Sequence, residues 1–255
     1  MGSRSVLGQT VIALALGSVL IAGGSVLTSG PRQPEPALAA GHHGKKKRKS
    51  HPTITIPGRP KPKEEWYRHC PPWGHGGDAE VDLLKNRIDR ATHPHTFSAE
   101  QFLRLPWPSG VTRKKLLMAD WSRGERRKAF RYEGMPASLV GYLVAFDRLG
   151  PRESCNCGGK AGYDWHLWIG KSYKSSRKAS IITEAPPRIR AREHGFDWKV
   201  FATIAGKARK VRVTGWVFLD NDHKVTESDR STLWEIHPIT RLDVWGKHGW
   251  KKVAG

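Results

Sequence analysis

Apolar and polar residues alternate with a period of two in the second half of the chain, which is the mark of β-strands with one buried face. The clearest runs are Ala137–Arg148 (ASLVGYLVAFDR), Asp164–Ile169 (DWHLWI), Ala179–Glu184 (ASIITE), Val211–Asp220 (VRVTGWVFLD) and Leu233–Trp245 (LWEIHPITRLDVW). Gly141 lies inside the first run, where a strand must bend or coil. Pro186 and Pro187 end the third. Between the third and fourth, Asp197 is placed to cap a short helix with the stripe Trp198, Phe201 and Ile204, closed by Gly206. Upstream, over residues 64–131, the period is helical. Val81, Leu84 and Ile88 share a stripe behind Asp78, Ser98 and Gln101 form a capping box flanked by Phe97 and Phe102, and a third short helix is expected over Thr112–Trp121. Such short helices need a larger body to pack against.

The order strand, strand, strand, helix, strand, strand over residues 132–246 predicts a mainly β protein with a helical N-terminal preface. Its centre is expected to be an OB-like five-stranded barrel, a partly open Greek-key arrangement. An SH3-like barrel and a small open antiparallel sheet compete with it. Residues 247–255 read as a basic C-terminal tail.

The N-terminus changes the picture by adding a compartment. Arg4 precedes an apolar run from Val11 to Leu27, and Ala37-Leu38-Ala39-Ala40 follows. That is the order of a cleavable export signal over residues 1–40, with an uncleaved anchor as the competing reading. Residues 41–63 mix a Lys/Arg run with proline and contain no aromatic residue, as expected of a disordered basic linker. The whole chain carries a formal net charge of +21, from 44 basic and 23 acidic residues. An exported basic protein fits anionic partners: single-stranded nucleic acid or a cell-envelope polymer, with a membrane only if the signal stays uncleaved. It is expected to be secreted, periplasmic or envelope-associated.

Three cysteines, Cys70, Cys155 and Cys157, are an odd count for an oxidising compartment. Cys70 bridged to Cys155 or Cys157, a Cys155–Cys157 ring, and a soft-metal site with His69 are the alternatives.

The motifs Glu153-Ser-Cys-Asn-Cys157, Asp164-Trp-His166, Val211-Arg-Val-Thr-Gly-Trp216 and Trp234-Glu-Ile-His-Pro238 occur in one order. In these, the chain from about Leu83 to Trp245 resembles a family of uncharacterised, predicted-exported bacterial proteins. The resemblance implies export and a shared fold and carries no chemistry.

Two sets of residues are candidates for function. In DWHLWI the strand period puts Asp164, His166 and Trp168 on one face, and in WEIHPI it pairs Glu235 with His237. Glu184 ends the third strand, while Asp220, Asp222 and His223 lie at the exit of the fourth. His166, Glu184, His223, Glu235 and His237 are thus catalytic candidates, and Asp164, His166, His223 and His237 candidate ligands for zinc, manganese or iron. The second set, Trp165, Trp168, Lys171, Tyr173, Lys174 and Arg177, offers aromatic stacking and positive charge for a bound polyanion. No nucleophile elbow, P-loop, dinucleotide fingerprint or C-x-x-C pair is present. The sequence is therefore read as an exported OB-like binding module for an anionic polymer, with a small metal-dependent hydrolase as the alternative.

Overall fold

A computed structural model describes residues 67–106, 122–149, 152–158, 162–221, 223 and 229–255. The export signal, the basic linker, the helix expected over Thr112–Trp121 and Asp222 lie outside the described residues. The fold is mainly β. In chain order the elements are α1 (Ala79–Lys85), β1 (His95–Ser98), α2 (Ala99–Leu103), α3 (Arg123–Phe130), β2 (Pro136–Leu149), β3 (Asp164–Gly170), β4 (Ser180–Ala185), α4 (Pro187–Arg192), α5 (Trp198–Gly206), β5 (Lys210–Leu219), β6 (Trp234–Gly246) and β7 (Gly249–Ala254). The sheet has seven strands among the described residues, where five were expected.

Five of these strands close a ring. β2 pairs antiparallel with β3, β3 with β4, β5 with β6, and β5 returns to β2, while Thr183 of β4 pairs parallel with Ile236 of β6. β2 serves both neighbours because its first half pairs with β5 and its second half with β3. Gly141 sits at the changeover. A Cβ there would meet Ile169 Cγ2 at 2.6 Å and the Gly170 carbonyl oxygen at 2.7 Å, and both are held by the sheet. Gly141→Ala is expected to destabilise the fold by roughly 1–3 kcal/mol, the usual range for overpacking, as read by urea denaturation. A cost below about 0.5 kcal/mol would show that the bend is not needed.

The two additional strands extend the ring. β1 joins β2 in parallel, with Phe97 opposite Leu139, and β7 joins β6, turning residues read as a tail into an edge strand with Ala254 buried. Inside the ring, Leu139, Leu143, Leu167, Ile169, Ile181, Val213, Val217, Trp234 and Ile236 form the core. α5, with Asp197 as its cap, packs against β2 and closes the cluster of Phe146, Trp165, Trp198 and Phe201. In the preface the capping box of Ser98 and Gln101 is present, and Phe97 meets Phe102 edge-on at 5.7 Å. α1 starts at Ala79 behind Asp78 and ends at Lys85, three residues short of Ile88, the last residue of the expected stripe.

A second buried layer lies on the outer face of β3, β4, β5 and β6, and its lining is polar. His166, Glu184, Phe218, Asp220, Glu235 and His237 are its floor. Its cover is α1 with Asn86, together with the turn Ser154–Asn156, which packs against α1. Asn86 Nδ2 donates to the Cys155 and Pro72 carbonyls at 2.7 and 3.0 Å, and Ser154 Oγ donates to Asp82 Oδ1 at 2.8 Å. The Cys70–Cys157 disulfide ties this cover to the front of the fold, and Cys155 is left as a buried free thiol.

Candidate functional site

Strand register builds the polar floor. β3 and β4 place His166 directly opposite Glu184, and Asp164, His166 and Trp168 alternate away from the core-facing Trp165, Leu167 and Ile169. On β6 the same alternation turns Glu235 and His237 outward while Trp234 and Ile236 enter the core. Polar side chains distant in sequence therefore meet between sheet and cover.

His166 Nε2 lies 2.7 Å from Glu184 Oε1, and His237 Nδ1 lies 3.2 Å from Glu184 Oε2 and 3.6 Å from Glu235 Oε2. Asn156 Nδ2 donates to Asp164 Oδ2 at 2.8 Å, and Lys85 Nζ to Glu153 Oε2 at 3.2 Å. Arg230 joins Asp220, at 2.8 Å, to Glu235, and His223 Nδ1 lies 2.6 Å from Asp220 Oδ2. All of these groups except Glu153, Asn156 and His223 are almost fully buried.

Burial and mutual charge set their protonation. Burial, with Glu153 and Glu184 nearby, pushes Asp164 up to about 7. Burial alone would depress His166, but contact with Glu184, aided by Asp164 and Glu235, holds it up at about 9. Glu184, which burial would raise, is held well below the usual carboxylate range by His166 and His237. His237 is pushed down by burial, although Glu184 opposes the shift. A buried layer of opposed charges of this kind is costly to keep, and such costs concentrate at functional sites.

The layer opens to solvent at a cleft of about 600 Å³ lined by Leu149, Arg152, Glu153, His166, Trp168, Arg177, Ile182, His223, Asp229 and Arg230. Arg177 lies over the Trp168 ring, 4.2 Å from its centroid, and the indole Nε1 donates to the Asp229 carbonyl at 2.7 Å.

Each candidate from the sequence now has a place. Asp164, His166, Glu184, Glu235 and His237 converge in the buried layer. His223 stands at the cleft mouth with half its side chain exposed. Among the described residues, three groups are close enough to share an ion: Glu153, Cys155 and Asp164; Glu153, His166 and Glu184; and Asp164, Glu184 and His237. His223 belongs to none of these groups. Of the six residues expected to hold a polyanion, Trp168 and Arg177 line the cleft. Trp165 does not: it is packed among Phe146, Trp198 and Phe201, because period two turns it opposite to Trp168. Lys171, Tyr173 and Lys174 are exposed in the turn after β3, with Tyr173 against Tyr142. Lys85, Arg152, Glu153, Asn156 and Arg230 were not singled out from the sequence, and they come from a helix and two connecting segments. Only Glu153 and Asn156, both within the Glu153–Cys157 motif, carried a local signal.

Comparison with protein-family models and with curated proteins found no match. The functional reading therefore rests on the site.

Proposed function

We propose that the chain is an exported OB-type module that binds an anionic polymer in the cleft between the β2–β3 and β5–β6 connections. The ring order β2–β3–β4–β6–β5, with helices between β4 and β5, supports the OB reading. OB-folds take oligonucleotides and oligosaccharides on the face of their second and third strands, between the loops joining strands one to two and four to five. The observation that carries the proposal is the position of this cleft. Its floor is His166, Trp168 and Ile182 of β3 and β4, and its walls are Arg152 and Glu153 on one side and His223, Asp229 and Arg230 on the other. Arg152 and Arg177 supply positive charge, and the buried Trp168 ring beneath Arg177 positions that guanidinium, while Arg230 is taken up between Asp220 and Glu235. Export is part of the proposal. The Cys70–Cys157 disulfide supports an oxidising compartment, and among the described residues no helix is long and apolar enough to cross a membrane.

Single-stranded DNA oligonucleotides provide the test. Binding should weaken as salt rises, with a log–log slope of about −0.7 per phosphate contact. A pH dependence is also expected from His223, which Asp220 holds above its ordinary value and Glu235 aids, against burial and Arg230. A group raised in this way keeps its charge at low pH and loses it as pH rises through the raised value, so affinity should fall with rising pH. His223→Ala should remove that dependence and lower the salt slope at pH 6 by about 0.7. An unchanged pH profile would take His223 out of the interface.

A second reading, a metal-dependent hydrolase, is favoured by one observation: of its six candidate residues, His166 lies in the cleft floor and Asp164, Glu184, Glu235 and His237 meet behind it. Cleavage of a phosphodiester that requires added zinc or manganese would support it.

A further inference from the structure

Buried polar atoms in folded proteins nearly always find a hydrogen-bond partner, so those that do not require an explanation. In the polar layer, Asp164 Oδ1, Glu184 Oε2 and both ring nitrogens of His237 make no hydrogen bond. Asp164 is 0 %, Glu184 3 % and His237 1 % exposed. The same three residues each offer one ligand atom to a set lying within 4.8 Å of one another.

The geometry points to a divalent transition-metal site held by Asp164, Glu184 and His237. Ligands about 2.0–2.2 Å from an ion sit at most about 4.4 Å apart, so small side-chain rotations close this set around one. Two carboxylates with one imidazole suit zinc, manganese or iron(II) rather than a thiolate-seeking ion. Three protein ligands leave a position open for water or a ligand.

The surroundings are those of a metal centre. The second oxygen of Asp164 accepts from Asn156 at 2.8 Å, and the second oxygen of Glu184 faces His166 Nε2 at 2.7 Å. Each carboxylate is thus oriented through one oxygen by a partner, as outer-shell groups orient ligands elsewhere, while its other oxygen makes no hydrogen bond, Glu184 Oε2 facing His237 Nδ1 at 3.2 Å. His237 Nδ1 points between Glu184 and Glu235 into the same space. Glu153 and His166, which line the cleft, also form an ion-sized group with Glu184 and give the buried set a route to solvent. His166 is a positioning residue in this arrangement. Cys155, whose thiol donates to Glu153 Oε2 at 3.5 Å, is already partnered and stays outside the set.

This inference deepens the hydrolase reading without depending on it, since the ion is measured with no polyanion or substrate present. Untagged full-length protein is stripped with a chelator, dialysed, and titrated separately with zinc and manganese. Bound metal is read by elemental analysis and calorimetry, and by the thermal midpoint. The expected result is about one equivalent per chain with a raised midpoint. Asp164→Asn and His237→Gln should weaken binding on the order of 100-fold or more, His166→Ala by about 10–100-fold, and Cys155→Ser should leave it unchanged. Less than about a tenth of an equivalent taken up by the wild type, with no midpoint shift at millimolar metal, overturns the site even if no variant folds. Loss of binding in Cys155→Ser with retention in His237→Gln also overturns it, in favour of the Glu153, Cys155 and Asp164 group. Stoichiometric metal without phosphodiester cleavage supports the site and removes the hydrolase reading alone.

Discussion

Breaking the Cys70–Cys157 bridge is expected to cost about 4 kcal/mol of folding stability, because the bond joins positions 87 residues apart and its loss restores that loop's freedom to the unfolded chain. Its effect should also be local. The bridge holds down Ser154–Asn156, the turn that covers the polar layer and supplies Glu153 and Asn156 at its edge. Cys155 reports on that cover. Its thiol is buried, and burial with Asp164 and Glu153 nearby pushes its pKa up, so it should resist alkylation while the cover is closed. Denaturant curves for the wild type and for Cys70→Ser/Cys157→Ser measure the first effect. Timed alkylation of Cys155 measures the second, and it should quicken in the double variant. Three thiols that react at equal rates before any reduction would show that the bridge does not form.

Removing Glu184 should be comparably costly. In metal-free protein, Glu184→Ala strips the buried His166 and His237 of the carboxylate that both face, and breaking a buried pair from one side costs roughly 3–5 kcal/mol. Glu184→Gln keeps the shape and one acceptor and should cost less. Denaturation in the presence of a chelator separates this effect from loss of a bound ion. A cost below about 1 kcal/mol for the alanine variant would mean that water reaches the layer freely and that its charges are not forced on one another.

Much of this architecture is written in residue periodicity. The five long strands and α5 follow alternation and capping residues that sit where the folded chain uses them. Departures occur where local signals conflict. β1 is only His95-Thr-Phe-Ser98, and its residues also fit the flank of a capping box. β7 carries Lys251 and Lys252, which read as tail but also suit an exposed sheet edge, where charge discourages pairing with another chain. α4 begins at Pro187, read as a terminator, although proline is well suited to the first turn of a helix.

The site was legible to the extent that period two reveals a shared face. It put Asp164, His166 and Trp168 together, and the same rule places Trp165 on the opposite face, in the core. It could not bring in Lys85, Glu153 or Arg230, because α1, the β2–β3 connection and the β5–β6 connection meet only through tertiary packing. Nor could it show that His223 stops at the cleft mouth while His166 and His237 continue inward.

On the proposed function, the cleft rather than the chain's excess of positive charge is expected to recognise the polyanion. Arg152 and Arg177 line the cleft, whereas Lys171 and Lys174 sit in the exposed turn outside it, so two double substitutions remove equal charge from the two places. Affinity for a single-stranded DNA oligonucleotide, measured across a salt series for Arg152→Ala/Arg177→Ala and for Lys171→Ala/Lys174→Ala, decides between them. The arginine pair should lower affinity on the order of tenfold or more and reduce the salt slope by about 1.4, while the lysine pair should have a much smaller effect. Equal losses in the two variants, or no binding by the wild type at low ionic strength, would contradict it.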